Sequence, residues 1–570
     1  LLSKNVLKVF SFSIKLFINL IIDRSSLKNI FFYPVAVKKK IKLINLSKVI
    51  ENNKIKKKEF KHYDINKIKL STGYLKYKNF PDWNKKFSEH EEYVSLHRWN
   101  WLLIASSEYK ENIDYNWGVQ MVRSYLDNQG PLPSGLRSES YTISERISNF
   151  ILFTQSQSKS LKSIPLDIVT ALKKMSYELI KKIEYFSKSN TGNHTINNAR
   201  AFILIGVTIN DQNFKNLGFE ILKDMVPKLI DHDGFLIEGS SHYHFLITRW
   251  LLEIRMITDD NNDKQIVTFL LPYIVKMLQA CNFFIIKDNN GNQNIPLIGD
   301  ISPDCSIDWI IDISKSSLSK LNEKHDYMQK LKGWSSLFNN WRPNTFMEIE
   351  KIEKKNFYEF DEWKKFTNDE WILFLHTEDA SREPVGSHSH NDFISFVLYH
   401  KGRELIIDIG RYNYSNSFSY GVNAKDHSLI CLNNLSPALR RKDKYFIKKY
   451  KKNDFTINHN YFKNTFELSL QHSGFFRIYG KNILHERKWI LKNKLLTVKD
   501  NLDGKGLYDL QYFFQIPFIK KLCFYKKELK IILENDLNFH LSAKINDTEI
   551  SLEKPVNSKR SKSYGHEINS

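Results

Sequence analysis

The chain has 570 residues and a formal charge of 85 − 63 = +22 at pH 7. At roughly 100–200 residues per domain, this length allows about three domains or two large ones. With 42% hydrophobic and 14% aromatic residues there is material for a sizeable core. That excludes a mainly disordered chain, and no collagen-like, mucin-like or coiled-coil period is present. The positive balance suits an acidic partner: nucleic acid, an anionic membrane or an acidic glycan. Lysine, asparagine and isoleucine are abundant throughout, so charge alone decides little. Cys281, Cys305, Cys431 and Cys523 form no CxxC pair and support neither a disulfide scaffold nor a thiolate zinc site.

Residues 6–22 (VLKVFSFSIKLFINLII) are apolar but broken by Lys8 and Lys15, leaving a run too short to span a bilayer. No small-residue cleavage site follows. The segment reads as an amphipathic helix or packed arm, with an export signal or membrane-surface anchor as the alternative. No other segment is expected to span a membrane. Residues 38–62 are Lys-rich and read as a solvated linker or helix face without the aromatic interleaving of a nucleic-acid platform.

From about 85 to 345 the pattern is helical. Ile168, Leu172, Met175, Leu179 and Ile183 share one helix face. Phe214, Leu217, Ile221, Leu222 and Met225 repeat the pattern, and a third apolar segment runs from Ile247 to Ile257. Helices packed on helices are the implication. After about residue 355, short apolar or alternating runs at 371–375, 393–399, 404–407, 495–498, 511–518, 529–533 and 539–545 predict an antiparallel β-sandwich. The divisions expected are an N-terminal arm and basic linker (1–80), a helical domain (81–350), a strand domain (351–555) and a frayed tail (556–570).

Chemistry-bearing residues fall in a few constellations. NTGNHTINNAR at 190–200 carries Asn193 and His194, suited to a helix start facing a cleft or to a capped turn. DGFLIEGSSHYH at 233–244 puts Glu238, His242 and Tyr243 just before a helix, where the Tyr243 phenol can exchange a proton or the loop can simply cap the helix. PLIGDISPD at 296–304 offers Asp300 and Asp304, to position substrate, fix a neighbouring base, or form only a turn. In GSHSHND at 386–392, His388 and His390 lie on one face of an extended segment. Hairpin pairing would bring Asp408 beside His390, and His427 would complete a set suited to Zn²⁺, unless it is an ordinary exposed histidine.

These residues resemble the heparinase II/III family of polysaccharide lyases. Trp83-Asn84, LHRWNWL at 96–102, YTISERISNF at 141–150, Asn193-His194, DGFLIEGSSHYH, the segment from His388 to Ser415, and 485–506 are similar to its segments in the same order. The resemblance covers about 80–570 and implies an N-terminal (α/α) toroid followed by a C-terminal antiparallel β-sandwich. It implies β-elimination on a uronic-acid glycan such as a glycosaminoglycan or alginate. Asn193 would neutralise the C5 carboxylate, and His194 would assist or act as base for one epimer. Tyr243 would donate to O4 and also abstract the proton, and His388 would be the opposing base or charge stabiliser. Glu238, His242 and Asp300 are assigned to substrate binding, and His390, Asp408 and His427 to a structural Zn²⁺. Asp426-His427-Ser428 departs from the family's His-Asn-Thr, which weakens the metal assignment. Asn193, His194 and Tyr243 come from the helical half and His388 from the strand half, so the cleft is expected at their seam.

Competing readings are a glycan-binding protein of surface-polysaccharide assembly without turnover, and a toroid glycoside hydrolase using Asp233, Glu238 or Asp300. Nucleic-acid binding lacks a recognition motif. A periplasmic or cell-envelope location is expected, with the cytoplasm as the alternative.

Overall fold

The computed structural model describes residues 33–44, 63–109, 112–186, 191–314, 333–338, 355–377, 388–411, 421–437, 455–462, 464–475, 483–504, 509–517 and strand segments between 519 and 569. Helices occupy the first part and antiparallel strands the second, in the order that the periodicity predicts. The apolar segment 6–22 and the expected division at 350/351 lie outside the described residues.

Each predicted helix forms where its face repeats. Leu166–Lys182 starts after Pro165, has Asp167 in its first turn and Lys181 and Lys182 in its last, and buries Ile168, Leu172, Met175 and Leu179. Gln212–Leu229 is capped by Asp211 and buries Phe214, Leu217, Ile221, Leu222 and Met225. Ser241–Asp260 is different, because its residues from Ser241 to Asp259 are all buried. It is a central helix, and its charges are paired: Arg249 lies 3.4 Å from Glu253, which also meets Arg200 at 2.9 Å and the Trp334 indole N–H at 2.8 Å. Lys264–Phe284 packs along it. By length and composition this is the helix among the described residues that could cross a membrane, against the expectation of none, although half of its apolar window is buried in the protein.

The N-terminal boundary needs correction. Val35–Leu43 is a helix packed against Gln212–Leu229. The Tyr33 hydroxyl donates to Ile183 O at 2.9 Å, and Val37 is fully buried. Tyr33, Val37 and Ile44 seat the segment in the core, with Ile41 packed beside them, while its lysines stay partly or fully exposed. The expected tail also differs: Lys559–Ser563 and His566–Asn569 pair as antiparallel strands.

In the strand half, Phe357–Glu359, Trp363–Thr367, Trp371–His376, Phe396–His400 and Arg403–Ile406 form a five-stranded sheet in sequence order. Phe455–Phe462, Thr465–His472, Leu484–Lys492 and Leu495–Asp503 form a four-stranded one. Phe366, Leu373 and Phe396 of the first share an apolar cluster with Phe466, Leu468 and Trp489 of the second. The run at 393–399 becomes strand only at Phe396, because Ser395 N–H turns back to Asp392 O. In the run at 511–518 the regular strand is Leu510–Tyr512, and Phe513 N–H and Gln515 O add single backbone bonds to Leu429 O and Ile407 N–H.

The opposite face of the five-stranded sheet meets the helices through aromatic rings. Trp363 packs edge-on against Phe284 at 4.8 Å, and Phe374 against Phe283 at 5.6 Å. The Lys365 ammonium donates to Phe283 O at 2.5 Å, at the C-terminus of Lys264–Phe284. This seam fixes the strand half beside the segments that carry Asn193, Tyr243 and Asp300.

Candidate active site and metal centre

Asn193 is the first residue of the helix Asn193–Thr208, preceded by Gly192. A Cβ on Gly192 would lie 2.8 Å from Glu238 Oε1, so glycine there lets the Glu238 carboxylate reach the helix start. That carboxylate accepts from Asn193 N–H at 3.0 Å and from Asn193 Nδ2 at 2.7 Å. It satisfies an otherwise orphaned helix N–H and complements the dipole. The second Nδ2 hydrogen goes to His388 Nε2 at 2.8 Å. The amide orientation thus assigns an Nε2 lone pair and an Nδ1–H to His388, and Nδ1 lies 3.1 Å from Asp300 Oδ2.

Ser240 caps the next helix by accepting from Tyr243 N–H at 3.0 Å, which places Tyr243 in the first turn. The Tyr243 and His388 rings stack with centroids 3.5 Å apart. Close backbone packing makes this possible. Gly239 (φ 70°) and Gly299 (φ 80°) occupy the left-handed region, and a Cβ on Gly299 would fall 2.4 Å from Gly239 O. Asp300 N–H then donates to His388 O at 2.9 Å, joining the helical half to the HSH segment.

Three residues assigned to substrate binding are buried and engaged by protein groups, as Asn193 also is. Glu238 is buried and engaged by Asn193. Asp300 is buried and contacts His388, His390 (Nε2 at 2.9 Å) and Arg411 (3.4 Å). Burial alone would raise its pKa, but the histidines hold it well below the usual carboxylate range. His242 is fully buried and accepts from Ser302 N–H at 3.1 Å, and burial lowers its pKa to about 3. Each is buried against a different partner: Glu238 against Asn193, His242 against Ser302 N–H, and Asp300 against the two histidines.

His194 does face the cleft, with 49% of its side chain exposed. Its ring packs on Tyr141 at 4.6 Å, and Tyr141 also feels Tyr243 electrostatically. His194 Nδ1 lies 2.6 Å from Glu184 Oε2. Packing against the protein alone would lower its pKa, but the Glu184 carboxylate outweighs it and raises the value to about 9.

His390, Asp408 and His427 come together, all buried, with ligand atoms within 4.8 Å of one another. His427 is a buried partner of Asp408, its Nδ1 3.0 Å from Oδ2, and not an exposed histidine. His390 Nδ1 and His427 Nε2 have no hydrogen-bond partner among the described residues. With the Asp408 carboxylate beside them, these nitrogens form a donor set that could hold a divalent metal. Asp426 is occupied elsewhere, accepting from Gly421 and Asn423 N–H groups.

Sequence reasoning missed Glu184, Tyr141 and Arg411. Arg411 follows Asp408 within the same motif and Tyr141 opens YTISERISNF, so both had a signal. Glu184 had none, since it stands between the core residues Ile183 and Tyr185 in a connection between helices, outside every motif.

The comparisons with known proteins point to one family. The sequence profile "Heparinase II/III N-terminus" matches residues 29–340, starting well before residue 80, and "Heparinase II/III-like, C-terminal" matches 358–563. A heparin-sulfate lyase of Bacteroides thetaiotaomicron is 22% identical over 364 residues, 59% of this chain and 50% of that protein. The chain thus spans about half the length of that curated relative. The crystal structure of a heparinase III superposes with a TM-score of 0.62 at 16% identity, over 87% of this chain and 76% of that one. A mutant heparan sulfate lyase HepC from Pedobacter heparinus gives 0.51 at 16% identity, over 88% and 77%. At that identity the superpositions speak for the fold alone, whereas the profiles cover both halves, and the chain belongs to the heparinase II/III family.

Proposed function

We propose that the protein is a polysaccharide lyase that cleaves a uronic-acid-containing acidic glycan by β-elimination. The observation that carries this reading is the convergence of Asn193, Tyr243 and His388, with His194 open beside them. The lyase names of the relatives support it and make heparin or heparan sulfate the first glycan to try, and alginate comes next on the motif resemblance alone. We read the helical half (81–350) as an (α/α) toroid, supported by successive helices packing on one another. We read the strand half (351–555) as an antiparallel β-sandwich, supported by the apolar cluster its two sheets share. The glycosidase reading has less support, because Glu238 and Asp300 are buried and already engaged.

The reaction removes the C5 proton, forms the C4–C5 double bond and breaks the C4–O4 bond, with a proton delivered to O4. Asn193 couples two of these demands. On binding, its amide moves one N–H from His388 Nε2 to the uronate carboxylate. That neutralises the carboxylate and frees the Nε2 lone pair to take the C5 proton. Asp300 keeps the Nδ1–H side of His388 fixed, as a preorganised second group. Tyr243, stacked on His388, donates its phenolic proton to the departing O4.

His390, Asp408 and His427 would hold a Zn²⁺ ion, which would brace the extended segment carrying His388 and His390. A periplasmic or cell-envelope location remains the expectation for an enzyme that meets such a glycan. Mass spectrometry of products tests the function: elimination fragments sum to the mass of the parent glycan, whereas hydrolysis adds one water per cut. Hydrolytic products, or none from any uronic-acid glycan, would overturn the reading.

A further inference from the structure

The Glu184–His194 contact belongs to no motif that the sequence singles out. We propose that Glu184 is a positioning residue that keeps His194 doubly protonated, so that His194 presents an Nε2–H to an anionic group of the glycan and does not serve as a base. The glycan part rests on the lyase reading above.

The geometry is specific. The 2.6 Å separation of His194 Nδ1 and Glu184 Oε2 is in the range of a charge-assisted hydrogen bond. Glu184 is held from several sides. Ser140 Oγ donates to its other carboxylate oxygen, its N–H donates to Asn198 Oδ1 at 3.0 Å, and its carbonyl accepts from Thr195 Oγ1 at 2.7 Å. The carboxylate is therefore clamped between Ser140–Ser156 and Asn193–Thr208, and His194 cannot turn away without breaking the contact. With Nδ1 occupied and the side chain half exposed, Nε2 is the nitrogen left for a ligand.

The charge balance points the same way. Packing against the protein and the N-terminal end of the Asn193–Thr208 dipole both disfavour a cation here. The ionisable groups that face the ring are Glu184, Glu139, Glu238 and Tyr141. The carboxylates prevail and raise the imidazole to about 9, so it is an imidazolium near neutral pH. An imidazolium has no lone pair for the C5 proton. It removes His194 from the candidate bases and leaves Tyr243 and His388. What remains at His194 is a fixed, half-exposed cation beside the Asn193 amide, suited to a carboxylate or sulfate.

The test is an NMR titration of histidine-ring signals in the full-length protein, with His194→Gln to assign the resonance. His194 is expected to titrate well above the ordinary 6.5 and to fall by about one unit or more in Glu184→Gln, the size of a lost charge partner. A wild-type midpoint at or below 6.5, or one unmoved by Glu184→Gln, overturns the proposal. If Glu184→Gln does not fold, the wild-type midpoint decides alone. A second arm measures calorimetric binding of a heparan sulfate tetrasaccharide on a Tyr243→Phe background, which keeps the sugar intact. Glu184→Gln should weaken binding about tenfold near pH 7.5 and much less near pH 5.5, where the imidazole is protonated either way. An equal loss at both pH values would make Glu184 merely structural and overturn the proposal. Absence of binding by the Glu184-intact protein would count against the substrate class, and the titration would still decide the role of Glu184.

Discussion

The Tyr243 ring lies on the His388 ring, centroid to centroid 3.5 Å, although the two residues come from different halves of the chain. Stacking puts a phenol and an imidazole on one small reaction volume, as elimination requires of its acid and base. Tyr243→Phe keeps the stack and removes the transferable proton. Turnover should fall about 10²–10⁴-fold while glycan affinity holds. Steady-state rates and calorimetric affinity of the variant beside wild type check this, and unchanged turnover would exclude Tyr243 as the acid.

Asn193→Ala removes the amide that engages both Glu238 and His388. Loss of a donor aimed at developing charge should lower kcat about 10²–10³-fold. The variant also leaves a buried carboxylate short of one donor, at a cost of about 1–3 kcal/mol in stability. Rate measurements and urea unfolding separate the two effects. A variant that loses stability but keeps its rate would remove Asn193 from the chemistry.

The metal site makes a separate prediction. Elemental analysis should find about one zinc per chain, bound by His390, Asp408 and His427. A strong chelator should lower the melting temperature of wild type, because metal binding contributes to folding. His390→Ala should melt low already and respond little to chelator. Equal melting of all samples would mean that the cluster is a hydrogen-bonded network without a metal.

Buried histidines set the acid limb of stability. Burial lowers His97, His242 and His244 from 6.5 to about 3, about 3 and about 4. Their folded values lie below the unfolded one, so between about pH 6.5 and about pH 4 the unfolded chain takes up protons that the folded chain refuses. Stability should therefore fall with pH in that window, by about 1.4 kcal/mol per pH unit for each such histidine. His194 does not offset this: its raised value gives stability that is fully present below 6.5 and is lost as pH rises through about 9. Urea midpoints across the window measure the slope, and a flat profile would contradict it.

The helices and strands were legible because their apolar periods are strong, as in Leu166–Lys182 and Trp371–His376. Asn193, Tyr243 and His388 were legible as motif residues, and the HSH spacing carried His388 and His390 to one carboxylate. What failed was the distinction between lining a cleft and supporting it. Glu238, His242 and Asp300 stand beside reactive residues in sequence, but each is buried against a different protein partner. Glu184 was invisible because its partner lies across a helix start, and no local spacing encodes that contact. Tyr33 and Val37 precede the lysine run at 38–40, whose charge made the segment read as a linker.

The most direct measurement is the near-ultraviolet absorbance of purified protein incubated with a panel of uronic-acid glycans. The account predicts absorbance that rises with time on at least one of them, from the C4–C5 double bond at each new non-reducing end. Chain scission without that absorbance would mean hydrolysis and contradict the lyase mechanism. No scission of any glycan, with binding retained, would show a glycan-binding protein in place of an enzyme.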